Sequence, residues 1–369
     1  MKLSISKSNL LKGVQIVSKA VSNKTTMSIL ECILIDARGD SIRLVANDMD
    51  LGIETFVEGT IIEKGVIAIE CKVFSEIVRK LPDSMIHINS DDSLKFVITC
   101  ENSVFNIMGR NWEEFTDLPS VDRMDGIEIS QFALKEVIRQ TIFSIMENDT
   151  NKIMGGEFFE INDNCLRVVS LDGHRISIRK IYMKNSYGYK KCIVPGKSLN
   201  DLIKIIGGEA DKDVIIYITD KFIVFEFDNT VFVSRLIEGE YFKIDQMLST
   251  DYETKFTINK KEFLDCIDRA TLLVKEGDKK PVIISVNDGF LELKINSVVG
   301  SMNESIDIRK EGKDIMIGFN PKFLIDALRV IDEEEVDLYM VNPKSPCFIR
   351  DEEQNYIYLI LPVNFTAAS

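Results

Sequence analysis

The sequence predicts an α+β fold built of three tandem, similar domains. Three observations carry this. Short alternating runs such as CILIDA, SIRLVAND, VFVSRLIE and YIYLILPV, set apart by turn residues, have the period of half-buried strands. Six segments of helical period lie among them. Those six fall into two sets of three whose members match position by position, which is the mark of a repeated module.

The first set is SNLLKGVQIVSKAV (8–21), QFALKEVIRQTIFSI (131–145) and KKEFLDCIDRATLLV (260–274). Its shared apolar positions are Leu10, Leu134 and Phe263, then Val14, Ile138 and Ile267, then Val21, Ile145 and Val274. A short extended lead-in precedes each: KLSIS, IEIS and KFTIN. Strand pairs follow: ECILIDARGDSIRLVAND, GEFFEINDNCLRVVSLD and VIISVNDGFLELKIN.

The second set is stricter: KVFSEIVRKL (72–81), KSLNDLIKII (197–206) and KFLIDALRVI (322–331). Lys72, Lys197 and Lys322 stand at two successive intervals of 125 residues. Phe74, Ile77, Val78 and Leu81 make one buried stripe at i, i+3, i+4, i+7. Leu199, Leu202, Ile203 and Ile206 repeat it, as do Leu324, Ala327, Leu328 and Ile331. A second cation follows seven residues after the first: Arg79, Lys204, Arg329. Seven residues is about two turns, so both cations leave the same side of each helix. The unit is helix, strands, helix, strands. Polar stretches at VDRMDG and LSTDYET divide the chain into 1–122, 123–250 and 251–369.

Length and composition agree with this. The 369 residues are 45% hydrophobic and 28% charged, too long for one core and suited to two or three. The N-terminus MKLSISKSNLLKG lacks a secretory h-region, and no apolar run is long enough to span a bilayer. The expectation is a cytoplasmic protein without membrane contact. Seven cysteines, Cys32, Cys71, Cys100, Cys165, Cys192, Cys266 and Cys347, stand singly with no C-x-x-C pair. They read as small buried residues in a reducing compartment, with no metal and no cofactor.

The net charge of −14 disfavours polyphosphate partners unless cations gather on one face. The helical repeat gathers them. Lys12, Lys72, Arg79, Lys135, Arg139, Lys197, Lys204, Lys322 and Arg329 are candidates for one basic surface, diluted by Glu76, Asp201 and Asp326. Such sparse cations suit salt-sensitive contact with phosphates, independent of base sequence. A passive repeat scaffold would have no reason to keep them in register.

The stretch SLDGHRIS (170–177) raises a different function. Asp172 and His174 could form a hydrolytic dyad, with Ser170 and Ser177 nearby. That reading needs a nucleophile and an oxyanion site, and no G-x-S-x-G elbow, Walker motif or GxGxxG is present. The other histidine, His87, sits in the alternating strand IHINS, where it faces solvent.

With these residues in hand, the chain resembles the bacterial DNA polymerase III β sliding clamps along its whole length. LDGHR at 171–175 is the strongest local match. KLSISKSNLLKGVQIVSKAV, KLPD at 80–83, GFNPKFLIDAL at 318–328 and the ending YLILPV support it. The resemblance implies a ring-shaped homodimer with helices lining a central hole and antiparallel sheets outside. It implies no catalysis. Such a ring encircles duplex DNA and tethers a replicative polymerase, raising its effective concentration at the primer end.

Residue by residue, the match implies DNA contact by Lys24, Lys72, Arg79 and Lys197, while NDTNKI (148–153) lacks the aromatic and basic residues of some relatives. It places Phe105 and Ile107 of one chain against Leu272 and Leu273 of the next. It makes SLDGHRIS part of a peptide cleft formed by Met154, Leu171, Gly173, His174, Arg175, Ile176, Phe242, Met247, Asn320, Phe323, Ser345, Leu359, Leu361, Pro362 and Val363. The implied partners are the DNA polymerase III alpha subunit, the clamp loader, and other polymerases and repair proteins carrying short motifs such as Gln-Leu-x-Leu-Phe. Leu171, Phe242, Gln246 and Asn364 depart from the commoner Thr, Pro, Arg and Arg. With the short tail after Val363, they bear on partner preference.

Overall fold

The computed structural model describes residues 1–22, 25–146, 151–274 and 280–365. Lys24, residues 148–150 of NDTNKI and the last four residues fall outside it. Among the described residues there are six α-helices: α1 (Lys7–Val17), α2 (Cys71–Lys80), α3 (Gln131–Arg139), α4 (Gly196–Ile205), α5 (Lys260–Thr271) and α6 (Pro321–Val330). Several begin on a side-chain cap supplied by the end of the preceding extended segment. Ser6 Oγ accepts from Asn9 N at 3.3 Å, Asn259 Oδ1 from Glu262 N at 3.0 Å and Asn320 Oδ1 from Lys322 N at 3.0 Å. Pro321 at the first helical position of α6 gives up no needed donor.

Three helices stop short of their apolar periodicity. α1 ends at Val17 rather than Val21, α5 at Thr271 rather than Val274, and α3 at Arg139 rather than Ile145. After α3 the chain continues into a 3-10 turn, Ile142–Ser144. Side chains from distant strands hold it there. Tyr358 donates to Gln140 O at 3.1 Å, Ser170 to Thr141 O at 2.5 Å and Arg175 to Phe143 O at 2.6 Å. These carbonyls are thereby satisfied without further helix.

The chain forms two compact units. Unit 1 comprises residues 1–134 and 197–236. One of its sheets has five antiparallel strands in the order Thr60–Glu63, Lys2–Ser6, Met85–Ser90, Lys95–Cys100 and Ser103–Met108. His87 is exposed between buried Ile86 and Ile88, as strand alternation requires. The other sheet has eight strands: Ile127–Ser130, Asp213–Ile218, Phe222–Phe227, Thr230–Arg235, Leu51–Val57, Ile42–Asn47, Cys32–Asp36 and Val66–Glu70. Its continuity rests on the antiparallel pairing of Thr230–Ser234 with Leu51–Thr55, where the buried hydroxyls of Thr230 and Thr55 meet at 2.9 Å.

Unit 2 comprises residues 135–196 and 237–369. It holds a ten-stranded sheet in the order Gly156–Leu171, Arg175–Pro195, Tyr356–Ile360, Cys347–Arg350, Glu335–Met340, Thr254–Asn259, Ser301–Gly312, Phe290–Asn296, Val282–Val286 and Ile315–Phe319. α5 and α6 pack on each other, and their apolar stripes join the core with Phe256, Phe263, Ile267, Leu324, Leu328 and Leu338. Each such side chain contributes about 1.5–3 kcal/mol by burial. The two predicted boundaries, near 122 and 250, fall in segments without regular structure.

All seven cysteines are free, and all but Cys165 are buried. Burial pushes the Cys32 thiol up to about 11 and those of Cys192 and Cys266 up to about 12. They remain protonated and inert at neutral pH.

Glu157 is the exception among buried groups. It is fully buried on Gly156–Leu171, and neither carboxyl oxygen has a hydrogen-bond partner. The neighbouring Thr141 hydroxyl spends its proton on Val137 O at 2.7 Å. Burial pushes the Glu157 carboxyl well above the usual range, so the folded chain keeps the proton. A raised carboxyl pKa means the folded state binds more protons than the unfolded one. Stability is therefore full below the unfolded value and falls as pH rises through it. Glu157→Gln removes that loss. Its melting temperature should exceed the wild type's by more at pH 8 than at pH 5, and an equal difference at both pH values would refute the assignment.

Candidate functional site

The turn at SLDGHRIS joins the two long strands Gly156–Leu171 and Arg175–Pro195. Gly173 has φ +88°, a conformation that a Cβ resists. Asp172 fixes the turn. Its Oδ1 accepts the backbone N–H of His174 at 2.9 Å and of Arg175 at 3.2 Å, and its Oδ2 accepts Arg175 Nε at 2.9 Å.

This geometry removes the dyad. Asp172 holds the His174 backbone, and among the described residues it makes no bond to the imidazole. The two serines are spent: Ser170 on Thr141 O, and Ser177 on Ser144 Oγ at 2.5 Å, all of them buried. No group of three or more His, Cys, Asp or Glu among the described residues could hold a metal ion.

What the turn does assemble is an apolar wall. Strand alternation puts Val169, Leu171, Ile176 and Ile178 on one sheet face with Ile357, Leu359, Phe348 and Tyr339. Phe242, Met154, Tyr241 and Leu248 pack against them. So Met154, Leu171, Ile176, Phe242 and Leu359 of the predicted set meet in one cluster. Leu361 and Met247 are 37% and 51% exposed. Leu361 N donates to His174 O at 2.9 Å, which sets Leu361 beside the turn, and Val363 N donates to Gly318 O at 2.8 Å on the strand Ile315–Phe319. The exposed His174 ring stands 6.1 Å from Phe323. Asn320 is occupied as the cap of α6, and the backbone N–H of Ser345 binds Asn342 Oδ1 in a turn.

Arg175 is placed differently from the rest. Its side chain is 7% exposed. Nη1 reaches Asp326 Oδ2 at 2.7 Å, Nη2 reaches Phe143 O at 2.6 Å, and the guanidinium lies 4.6 Å from the Phe323 ring centroid. All three nitrogens are used within the fold. Asp326, a diluting charge on a basic face in the sequence reading, is its partner.

Sequence reasoning missed the wall's floor, Tyr339, Phe348 and Ile357. For Ile357 the signal was the alternation Ile357–Leu359 beside Leu361. The covering segment, residues 241–250, is held by Arg167 on Asp245 at 2.7 Å and by Arg350 on Ser249 O and Thr250 O at 2.9 and 3.0 Å.

The repeated helical cations divide into two kinds. Lys72 and Lys322 are exposed and have no acidic partner among the described residues. Lys197 Nζ lies 3.3 Å from Asp48. The second cations are neutralised on their own helices, Arg79 by Glu76 at 2.5 Å and Lys204 by Asp201 at 3.0 Å, while Arg329 faces Asp268 at 3.5 Å.

In unit 1, Ser103–Met108 is the end strand of its sheet, with Val104, Phe105 and Met108 exposed and Ile107 half-buried. In unit 2, Leu272 is 81% exposed at the end of α5, while Leu273 packs partly on the core.

Comparison with known proteins accords with this geometry. Three family profiles match in succession: DNA polymerase III beta subunit, N-terminal domain, over residues 1–119; central domain, over 128–243; and C-terminal domain, over 245–364. The curated beta sliding clamp of Halalkalibacterium halodurans is 34% identical over 369 residues, covering 96% of this chain and 97% of the relative. A crystal structure from Eubacterium rectale is 68% identical with a TM-score of 0.96, covering 99% of this chain and all of that one. The DNA polymerase sliding clamp of Bacillus subtilis is 33% identical with a TM-score of 0.95 at the same coverage.

Proposed function

The chain belongs to the DNA polymerase III beta subunit family, and from that membership we propose that two copies close into a ring around duplex DNA. Its curated relatives are named sliding clamps, which are processivity factors and not catalysts. On this reading domains 1–122, 123–250 and 251–369 follow one another around the ring. Unit 1's edge strand of one copy meets the α5 end of the next. The DNA polymerase III alpha subunit, the clamp loader and repair proteins dock by short motifs on the apolar wall beside Gly173. The setting is the cytoplasm. No helix among the described residues is long and apolar enough to cross a membrane.

The observation that carries the DNA reading is the cation repeated at one helical position, Lys72, Lys197 and Lys322, in a chain of net charge −14. Few, unclustered cations hold a polyphosphate loosely, which permits sliding. Arg79 would have to exchange Glu76 for a phosphate, so it ranks below Lys72. Lys24 keeps its place in the set by residue match alone.

The test is charge reversal. Lys72→Glu with Lys197→Glu should lower stimulation of a polymerase on primed circular DNA about tenfold or more, with the dimer intact by light scattering. Arg79→Glu alone should do less. Unchanged stimulation in the double variant would remove these helices from the DNA surface.

A further inference from the structure

In a chain with 59 acidic residues among 369, positions 173–200 contain none, while they carry seven cations. The strand Arg175–Pro195, which starts at the apolar wall, makes up most of this stretch. The register shows what shares the wall's face. Ile176 pairs with Leu171, Ile178 with Val169, Lys180 with Arg167 and Tyr182 with Cys165. Past an irregularity, Lys191 pairs with Glu160 and Ile193 with Phe158, which also packs against the wall. The wall's face therefore continues along the strand through Lys180 to Tyr182, and past the irregularity Lys191 and Ile193 share a face with Phe158.

This basic, tyrosine-bearing strip is accessible. Tyr182 and Tyr189 are 66% and 59% exposed, and Lys184 and Lys191 are exposed. Lys180, Lys184 and Lys191 have no acidic partner among the described residues. The acidic groups on or beside this face are otherwise engaged. Arg167 binds Glu160 at 3.2 Å and Asp245 at 2.7 Å, Tyr189 donates to Glu160 at 3.1 Å, and Asp351 receives Tyr356 N and Asn355 Nδ2. Asp163, across from Tyr187, is exposed.

We propose that this strip receives the acidic flank of a peptide whose apolar anchors sit on the wall beside Gly173. The inference rests on the reading of that wall as a peptide cleft and adds the chemistry of the partner outside it. Lys180 lies four residues beyond Ile176, about 13 Å along an extended strand, within reach of a flank of five residues or so. Three cations standing singly among tyrosines match scattered carboxylates on one extended chain. Long-stemmed lysines and exposed tyrosine rings also give an extended peptide apolar surface to lie along.

The experiment is fluorescence anisotropy with three labelled peptides: Gln-Leu-x-Leu-Phe alone, the same with five Glu at either end, and the same with five Ser. Against the full chain at low salt, one of the Glu-flanked peptides should bind about tenfold tighter than the Ser-flanked one, as expected for a few exposed ion pairs. The gain should fade at 0.5 M salt. It should vanish in Lys180→Ser/Lys184→Ser/Lys191→Ser, which should bind the bare anchor unchanged, while Leu361→Asp should weaken all three peptides. Equal affinity for Glu and Ser flanks overturns the proposal. So does saturable binding of single-stranded oligo(dT) that the triple variant loses, which would make the strip a nucleic-acid surface. A bare anchor that fails while a Glu-flanked peptide still binds through the lysines would uphold the strip and refute the cleft. Failure of every peptide refutes both.

Discussion

Leu272→Asp is expected to convert the dimer to a monomer. The residue is 81% exposed on the α5 end of unit 2. On the proposed ring this leucine would meet the apolar, unpaired strand edge that lies elsewhere on the chain. Ser103–Met108 is such an edge, with Val104 and Met108 59% and 67% exposed beside Phe105. A contact between different surfaces of identical chains closes only at a fixed copy number, here two. Aspartate there loses the apolar contact and leaves a charge unpaired in the interface. A loss of about 3 kcal/mol at each of the ring's two contacts, about 6 kcal/mol in all, would weaken association on the order of 10,000-fold. Light scattering should give the mass of one 42.0 kDa chain at concentrations where wild type gives two. Leu273→Asp is the poorer probe, because Leu273 packs partly on the unit 2 core and its loss would unsettle the fold as well. An unchanged mass for Leu272→Asp would put the interface elsewhere. Polymerase stimulation should fall with the dimer, since an open monomer cannot stay on DNA.

How far the sequence could be read depends on the distance over which each feature is determined. α2, α4 and α6 were legible because ten residues carry the whole signal, an apolar stripe with a leading lysine. The end of α3 was not, because Ser170, Arg175 and Tyr358 stop it from 29, 32 and 218 residues away. The cations, by contrast, were legible locally: two residues seven apart share a helix side, and the diluting Glu76 and Asp201, three residues before Arg79 and Lys204, pair with them. The motif LDGHR located the turn and its strands. Its catalytic reading fell to hydrogen-bond directions that no spacing reveals, since Asp172 faces the backbone of His174 and not its ring. The floor of the wall comes from register between strands some 180 residues apart, so Tyr339 and Phe348 were invisible while Leu359 and Leu361 were not.

Arg175→Met should cost about 2–4 kcal/mol of stability and weaken peptide binding together. The substitution keeps the apolar stem and removes the charge. Asp172 and Asp326, 15% and 20% exposed, then lose their cation, and Phe143 O loses its donor. Breaking a buried pair from one side costs about 3–5 kcal/mol, reduced here because both carboxylates keep some water. A urea midpoint shift will read it. Arg175→Lys, a charge with one donor direction at a time, should recover only part. The coupling to binding follows from position. Arg175 ties the Gly173 turn to α6 and to the segment after α3, so its loss frees the turn that carries His174 and supports Leu361. Asp326→Asn separates this from direct contact. Asp326 is no part of the apolar wall, yet removing its charge should lower affinity for Gln-Leu-x-Leu-Phe at temperatures where the fold is intact. If Asp326→Asn binds like wild type and only Arg175→Met fails, Arg175 meets the peptide directly. If both weaken in step, and the double variant is little worse than Arg175→Met alone, the pair acts as one brace beneath the turn.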